Sequence, residues 1–235
     1  ALTYLDEWPG VDQAQGHLFI DNDLLVGSFS SGTTLGGDIN QLQLIYENDV
    51  LWLDGGLMGD TKGLFSYLQT TPLKDALDNV FENWEVDGRH FSELSLKVPL
   101  SGEDEILTEL HADLSQSHMN IKDLDLAFNF INGQIAYSSK KGLNSDSLTA
   151  NFWQRPFQVS MSSLVNDGDL KTDILFDGSV EMPVLKQWLK LPIMQPFSGS
   201  ASVNGRFIVD TSKDSFTGLK VSSNMKGISV DLPVP

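Results

Sequence analysis

The sequence predicts a mainly β protein built on a strongly curved antiparallel sheet, with two or three short helices. Its polar residues are mostly turn formers, because the 235 residues include 23 Asp against 9 Glu, together with 13 Asn, 25 Ser and 20 Gly. Apolar and polar residues alternate in many short segments, which is typical of strands with one buried face. Helical spacing is limited to a few places. We therefore expect residues 1–235 to form a single continuous β module.

The first clear strand pair is a hairpin around Asn48-Asp49. Both residues of that pair tolerate positive φ, as a two-residue hairpin turn requires. The strands on either side alternate, so that their apolar side chains share one face. These apolar residues are Leu42, Leu44, Tyr46, Leu51 and Leu53.

Alternation continues along the chain and predicts an antiparallel meander. The Asn132-Gly133 pair predicts a second tight hairpin turn, and Arg155-Pro156 separates the last two strands. The alternating sets are Ile106, Thr108, Leu110, Ala112 and Leu114; then Leu124, Leu126, Phe128 and Phe130; then Leu148, Ala150 and Phe152; and finally Phe157, Val159 and Met161.

Three segments have helical spacing instead. The longest begins after Thr71-Pro72, which supplies a cap and a first-turn proline. Its apolar residues fall at i, i+3, i+4, i+7, i+8 and i+11: Leu73, Ala76, Leu77, Val80, Phe81 and Trp84. A shorter helix is predicted around residues 64–68 and another after Pro183, through Trp188 and Leu189. Each helix would cover an end of the sheet or part of its core.

Composition excludes several classes of function. With 15 basic and 32 acidic residues, the formal net charge is −17, so the chain has no basic surplus for binding nucleic acid or anionic headgroups. Cysteine is absent, which excludes disulfides and thiolate chemistry. No apolar run is long enough for a membrane span. The chain begins at Ala1 in mid-pattern, and we expect it to be a piece of a longer polypeptide.

Motifs for catalysis or cofactor binding are weak, and we predict no enzyme, no cofactor and no metal site. The glycine-rich run 55–63 lacks the Gly-Lys-Ser/Thr ending of a phosphate-binding loop, and predicts a turn before a helix capped by Asp60 or Thr61. His111 and Asp113 share a strand face without a third ligand. Two acidic segments, 21–23 and 167–169, begin like calcium loops but lack the next oxygen ligand, so we expect hairpin turns.

The order of several short motifs resembles that of a known family. Residues 67–73 (YLQTTPL) are followed by Trp84-x-x-x-Gly88 and then by residues 94–100 (LSLKVPL). Later come Gly142-Leu143, residues 148–150 (LTA) and residues 222–235 (SSNMKGISVDLPVP). From about residue 16 to residue 235, this order resembles the central region of the YhdP-type proteins of the AsmA-like superfamily. Residues 153–155 depart from the pattern, since a glycine is expected just before Pro156.

The resemblance implies a fold, a location and a partner. Such proteins are anchored in the inner membrane of Gram-negative bacteria, with an anchor outside this chain, and extend through the periplasm as a β-sheet rolled into an open groove. The groove is implied to carry phospholipid acyl chains between the inner and outer membranes, and other envelope proteins are conceivable partners. No catalytic residue comes with the family.

We therefore expect one strand face to line a lipid groove, although alternation alone does not decide which face lies inside. The candidate groove residues are Leu42, Leu44, Tyr46, Leu124, Leu126, Phe128, Phe130, Phe157, Val159 and Met161. The candidate residues for a helix that caps or gates the groove are Leu73, Leu77, Phe81, Trp84 and Trp188.

Two alternatives stay open at the level of sequence. The same alternation would suit a closed sandwich core, in a structural module whose helices dock a partner protein through Trp84 or Trp188. A carbohydrate-binding or carbohydrate-active protein would instead use exposed Trp side chains and a pair of carboxylates. With 32 acidic residues, some close carboxylate pairs are expected in any case.

Overall fold

The computed structural model of the chain describes residues 10–34, 37–70, 83–101, 105–122, 125–166, 169–210 and 218–231. These residues form one antiparallel sheet of 13 strands. The first twelve strands lie in sequence order, and the thirteenth pairs with the eleventh. The sheet is open, because β1 and β12 end the path without pairing with each other. The prediction of a mainly β chain with an antiparallel sheet and few helices is confirmed.

The elements follow one another with short connections. Their bounds are β1 Asp12–Asp21, β2 Leu24–Thr34, β3 Gly37–Glu47, β4 Val50–Asp60, α1 Thr61–Thr70, β5 Trp84–Pro99, β6 Leu107–Ile121, β7 Leu126–Ser138, β8 Gly142–Phe152, β9 Arg155–Asn166, β10 Asp169–Glu181, α2 Met182–Leu189, a 3-10 turn Pro192–Met194, β11 Phe197–Asp210, β12 Gly218–Ser223 and β13 Ile228–Val230.

Buried side chains share one face of the sheet. Leu44 pairs with Leu53, and Leu53 with Leu96, across β3, β4 and β5, and all three are buried. Directly paired residues point to the same side of a sheet, whereas their chain neighbours point to the other side. We call the side that carries these three leucines the apolar face, and the opposite side the outer face.

Tight turns of the predicted kind join several strands. Asn48 and Asp49 have φ of 51° and 57° and connect β3 to β4, as the sequence predicts. Asn22 and Asp23 connect β1 to β2, which confirms the first acidic hairpin. The second flanks residues 167–168, which lie outside the described residues, although β9 and β10 do pair antiparallel. Trp153-Gln154, with φ of 50° and 63°, turns the chain from β8 into β9 without a glycine.

The hairpin predicted at Asn132-Gly133 is wrong, because both residues lie inside β7. The positive φ of Gly133, 129°, serves a bulged stretch of the β6–β7 ladder rather than a turn. The Asn132 side chain stabilises that bulge. Its Oδ1 accepts a hydrogen bond from the Gln116 N–H at 2.9 Å, and its Nδ2 donates one to the Phe130 carbonyl at 2.7 Å.

The same bulge corrects the placement of Phe130. Phe130 has φ of 53°, and the pairing register shifts around it, so the buried position passes to its neighbour Ile131. The phenyl ring of Phe130 is exposed and meets the His118 ring edge-on at 5.5 Å. Alternation therefore placed this residue wrongly, since a bulge inserts one residue into the period of two. Leu124 lies outside the described residues.

Two of the three predicted helices are confirmed. Helix α1 begins after Asp60, whose carboxylate accepts a hydrogen bond from the Lys62 N–H at 2.7 Å and so caps the helix. The preceding glycines at 55, 56 and 59 belong to strand β4 rather than to a turn. Helix α2 has Pro183 in its first turn and ends at Lys190 in the left-handed conformation.

The long helix predicted over residues 73–84 falls mostly outside the described residues, including its candidates Leu73, Leu77 and Phe81. Its last predicted member is misplaced, because Trp84 is the first residue of strand β5 and pairs with Ile121. A tryptophan fits a strand end that packs against neighbouring strands as well as it fits a helix face. Spacing alone did not separate the two.

The sheet bends sharply between β8 and β10. A Cβ atom on Gly142 of β8 would collide with the side chain of Leu170 on β10, although β9 lies between these two strands. Ser163 of β9 holds the bend, since its hydroxyl donates to the Leu143 carbonyl at 2.6 Å and is 2.7 Å from the Thr172 hydroxyl. Curvature of this kind brings side chains of the apolar face together from strands that are not neighbours.

Candidate functional site

The apolar face continues from strand to strand across most of the sheet. One ladder of directly paired residues runs from β4 to β12 on this face: Gly59, His90, Leu114, Gly133, Leu148, Val159, Phe176, Gly205 and Val221. At about 4.8 Å between neighbouring strands, these nine positions extend over roughly 38 Å. The face is therefore a long surface rather than a single pocket.

Three clusters of buried side chains lie along this face. The first joins β3, β4 and β5 through Leu44, Leu51, Leu53, Leu96 and Val98. The second places Leu64 of α1 with Leu110, Ala112, Tyr137 and Leu170. The third joins β6 to β11 through Ile121, Leu126, Phe152, Phe157, Val180 and Val203. Both helices thus pack on the apolar face, since Leu185 and Trp188 of α2 contact the third cluster.

Aromatic rings in the third cluster lie flat over glycines of the adjacent strand. A Cβ atom on Gly178 would come within 2.5 Å of the Phe157 ring, and one on Gly205 would collide with the Phe176 ring. Each ring therefore occupies the volume that a neighbouring side chain would fill. Such rings project less from the sheet, so this part of the wall is apolar and thin.

The predicted groove residues within the described part of the chain divide into three sets. Leu44, Leu126 and Phe157 are fully buried, and Phe157 is only 1% exposed. Phe130 points to solvent at the β7 bulge. The remaining candidates lie half-buried on the apolar face: Leu42, Tyr46, Phe128, Val159 and Met161. Only this last set combines the apolar face with access to solvent.

Contacts within the half-buried set are specific. The Phe128 ring stacks on Phe152 with 4.7 Å between ring centroids. The Tyr46 hydroxyl donates a hydrogen bond to Asp49 at 3.0 Å, and this bond, with the negative charge of Asp49, raises the pKa of Tyr46. Val159 and Met161 pair with Phe176 and Ile174. These side chains are held in place by neighbours and still reach the surface.

The two described helix candidates lie at one edge of the third cluster. Trp188 of α2 has its ring centroid 5.4 Å from that of Trp153, which stacks in turn on Phe152 at 4.1 Å. Trp84 packs against the same cluster from the start of β5. The structure therefore brings these two tryptophans to one apolar region, although only Trp188 lies on a helix.

The two edges of the sheet carry apolar side chains that sequence analysis missed. On the apolar face of β1, Leu18 and Ile20 are 54% and 68% exposed, and on β12 Val221 is 51% exposed. Leu18-Phe19-Ile20 is a continuous apolar run, which hides the period of two that would have assigned its faces. Val221 does alternate with Lys220 and Ser222 and could have been found.

A small polar group interrupts the apolar face beside the start of α1. His90 is buried, and neither ring nitrogen has a hydrogen-bond partner among the described residues. Burial lowers the pKa of His90, against a smaller opposing effect of the Asp60 charge. Nearby, the Thr61 and Ser117 hydroxyls are 3.0 Å apart. Burial also raises the pKa of Tyr137 in the second cluster. The imidazole is therefore neutral near pH 7.

Comparison with known families decides the assignment. The family model described as "YhdP protein" matches residues 1–235 of this chain. The chain belongs to the YhdP family. The motif order that resembles this family in the sequence is thereby confirmed.

One relative of the YhdP family gives the comparison a functional context. The protein named "Intermembrane phospholipid transporter YhdP" of Escherichia coli (strain K12) is 24% identical over 240 residues. The match covers 100% of this chain and 19% of that protein, so the chain spans about a fifth of its relative's length. No solved structure matches the chain.

Two searches of the described ranges bear on other functions of a YhdP-family segment. Across those ranges, no three His, Asp or Glu side chains come together as metal ligands. His111 and Asp113 are both exposed on the outer face. Neither α1 nor α2, nor any other helix in the described part of the chain, has the length and apolar character needed to cross a membrane.

Proposed function

We propose that this chain is a non-enzymatic segment that binds phospholipid acyl chains on its apolar face, as part of a protein that moves lipid between two membranes. The observation that carries the proposal is the open sheet, whose apolar face stays exposed at both edges through Leu18, Ile20 and Val221. A closed core would bury such side chains. The printed name of the E. coli relative gives the same ligand class.

Energetics favour a long, continuous surface for this ligand. Each acyl methylene removed from water contributes about 0.8 kcal/mol, so a chain of about fifteen methylenes gains on the order of 12 kcal/mol when fully covered. Interruptions of the apolar surface would forfeit part of this gain. The ladder from Gly59 to Val221 offers the required length in one direction across the strands.

Within this proposal the candidate residues have different roles. Leu42, Tyr46, Phe128, Val159 and Met161 would contact acyl chains directly, because they are apolar and half-exposed. The buried residues Leu44, Leu126 and Phe157 would hold the wall in shape. Phe130 faces outward and is not part of the proposed wall.

The helices would cover parts of the wall. Leu64 of α1 and Trp188 of α2 already pack on the apolar face, so each helix limits how far a lipid can extend there. We assign Trp84 and Trp188 to one edge of the proposed wall. The residues Leu73, Leu77 and Phe81 would extend the cover as parts of the predicted long helix.

Location and organisation follow from the same proposal. The chain would work in the periplasm of a Gram-negative bacterium, as one continuous module of a longer protein anchored in the inner membrane. Its lipid partners would be phospholipids, and no cofactor would be involved. The acidic outer face would keep the module hydrated and away from anionic headgroups.

The proposal is tested by lipid extraction from the purified chain with a matched pair of variants on β1. Leu18→Asn with Ile20→Asn changes the apolar face, whereas Phe19→Asn changes the outer face of the same exposed strand. We expect phospholipid to co-purify with the wild type, to fall several-fold in the double variant and to stay unchanged in Phe19→Asn. Because all three side chains are exposed, the variants should fold, as circular dichroism would check.

Two outcomes would overturn the proposal. One is a wild-type protein that carries no phospholipid and takes up none from vesicles. The other is equal lipid retention in the double variant and in the wild type, which would remove the exposed apolar face as the binding surface.

A further inference from the structure

An apolar row crosses the outer face of β1 to β4, the face that should be polar. Phe19 pairs with Val26, Val26 with Ile45, and Ile45 with Trp52. Direct pairing puts all four side chains on the same side of the sheet. Phe19, Ile45 and Trp52 are 59%, 39% and 42% exposed. We call these four residues the outer stripe. Contiguous exposed apolar surface of this kind marks interaction sites.

The stripe has a defined end at Trp52. Lys97 is the next residue in the ladder, and its Nζ lies 4.9 Å from the centre of the Trp52 ring. A cation over a tryptophan face is attracted by the ring electrons. The stripe is therefore four strands wide, open at β1 and closed by a positive charge at β5.

The surroundings of the stripe are strongly acidic. Residues 10–60 contain eight Asp or Glu and no Lys or Arg. Asp21 and Glu47 lie two positions from the stripe toward the turns, and Asp54 lies two positions away on the other side. All three carboxylates are exposed on the outer face. An apolar row between two acidic borders is complementary to a partner that is apolar along one line and basic on both sides.

The dimensions of the stripe match an α-helix laid across the strands. Four strands at about 4.8 Å spacing give a row roughly 14 Å long. An α-helix repeats its i, i+3, i+4 and i+7 side chains every 5.4 Å or so, and about ten residues cover the same length. The acidic borders lie about 7 Å from the row, two residues along each strand. Basic side chains on the flanks of a helix of about 5 Å radius would reach them.

We propose that the outer stripe is a docking site for a basic amphipathic helix of a partner protein. Apolar side chains of that helix would contact Phe19, Val26, Ile45 and Trp52, and its Lys or Arg residues would pair with Asp21, Glu47 and Asp54. An anionic membrane surface fits less well, because the acidic borders would repel it. The site lies on the face opposite the proposed lipid surface, so the two proposals can fail independently.

A model peptide tests the proposal on the whole chain. The probe is a fluorescently labelled 14-residue peptide of Leu and Lys with its Leu residues on one helical face, and its control is a peptide of equal composition with the Leu residues scrambled. We expect the amphipathic probe to bind at least tenfold more tightly than the scrambled one, by fluorescence anisotropy. Equal affinity for both peptides would reduce the interaction to charge alone and would overturn the proposal.

Matched variants locate the binding surface without changing net charge. Ile45→Asn and Phe19→Asn should each weaken probe binding about tenfold. Leu164→Asn and Leu175→Asn, at exposed apolar positions on the outer face of β9 and β10, should leave it unchanged. Trp52→Asn is a third test, read beside its circular dichroism spectrum. Equal loss in the stripe and control variants would contradict the proposal.

Other occupants of the stripe are separate outcomes of the same set. If light scattering detects a dimer of the wild type that Ile45→Asn dissolves, the occupant is a second copy of the chain. If the wild type binds anionic vesicles and Ile45→Asn does not, the occupant is a lipid surface. Either result would overturn the assignment to a basic helix.

Discussion

The two ends of the sheet treat charge on their outer faces in opposite ways. Strands β1 to β4 lie within residues 10–60, which have eight acids and no Lys or Arg. From residue 155 to residue 235 there are eight acids and eight bases, and β9 to β11 pair several of them across strands. These pairs are Arg155–Glu181, Lys171–Asp210 and Asp173–Arg206. One end neutralises its own outer face, whereas the other leaves negative charge beside exposed apolar side chains.

The apolar face shows a parallel contrast. At the β9–β11 end, Phe157 and Phe176 lie over glycines and fill the space between strands. At the β1 end, Leu18 and Ile20 extend from an edge strand whose ten residues are all exposed. The comparison suggests a division of work, in which β9 to β11 give the fold its rigidity and β1 to β4 offer surfaces to ligands and partners.

The largest effect should come from removing a ring at the rigid end. Phe157→Ala deletes a side chain that packs edge-on against Phe152 at 5.5 Å, and should lower the free energy of unfolding by about 3–5 kcal/mol. Ile20→Ala at the open end should change it by less than about 0.5 kcal/mol. Urea denaturation measures both. Similar losses at the two sites would erase the contrast.

A second comparison adds side chains at glycine positions. Gly205→Val would force the Phe176 ring out of its place and should cost about 1–3 kcal/mol of stability. Gly56→Val is the matched control on the outer face of β4, where a Cβ would meet Phe91 at an ordinary 3.8 Å. It should be neutral or slightly stabilising, because β-branched residues favour strands. Thermal unfolding that ranks the two variants in the reverse order would refute the ring-over-glycine arrangement.

Acid should weaken the middle of the sheet through His90. Burial lowers the pKa of His90 below its ordinary 6.5, so the unfolded chain binds a proton that the folded chain resists. Stability should therefore be fully present above pH 6.5 and should fall as the pH drops below that value. His90→Leu should remove this dependence. The measurement is the unfolding free energy of both proteins at several pH values between 7.5 and 5.

The smallest effect should come from the balanced outer face. Arg206 donates two hydrogen bonds to Asp173, both at 2.8 Å, and the first effect of this contact is to lower the pKa of Asp173. Because both side chains are partly exposed, Arg206→Gln should cost less than about 1 kcal/mol, and less still in high salt. A depressed carboxyl pKa adds stability that is lost only in acid, as pH falls through the folded value.

Much of the fold could be predicted from the sequence because alternation and turn chemistry agree locally. The faces of Leu42, Leu44 and Tyr46 and the turn at Asn48-Asp49 follow from those two rules alone. The rules failed where one residue type serves two geometries. Asn132-Gly133 supplies positive φ to a bulge instead of a turn, and the bulge then moved Phe130 to the outer face.

The candidate site was less predictable, because exposure depends on position within the sheet. Sequence patterns gave Phe157 and Val159 equal weight, yet Phe157 is buried over Gly178 and Val159 is half-exposed. The outer stripe was invisible for a related reason. Its members come one from each of four strands, so they become neighbours only when the register of the sheet is known.

The most direct test of the lipid proposal is photo-crosslinking with a phospholipid that carries a diazirine in its acyl chain, followed by mass spectrometry of the labelled peptides. We predict labels on apolar-face residues of β1, β9 and β12, such as Leu18, Val159 and Val221, with few on Ile45 or Trp52. Labelling confined to the outer face, or spread equally over both faces, would contradict an apolar face that binds lipid.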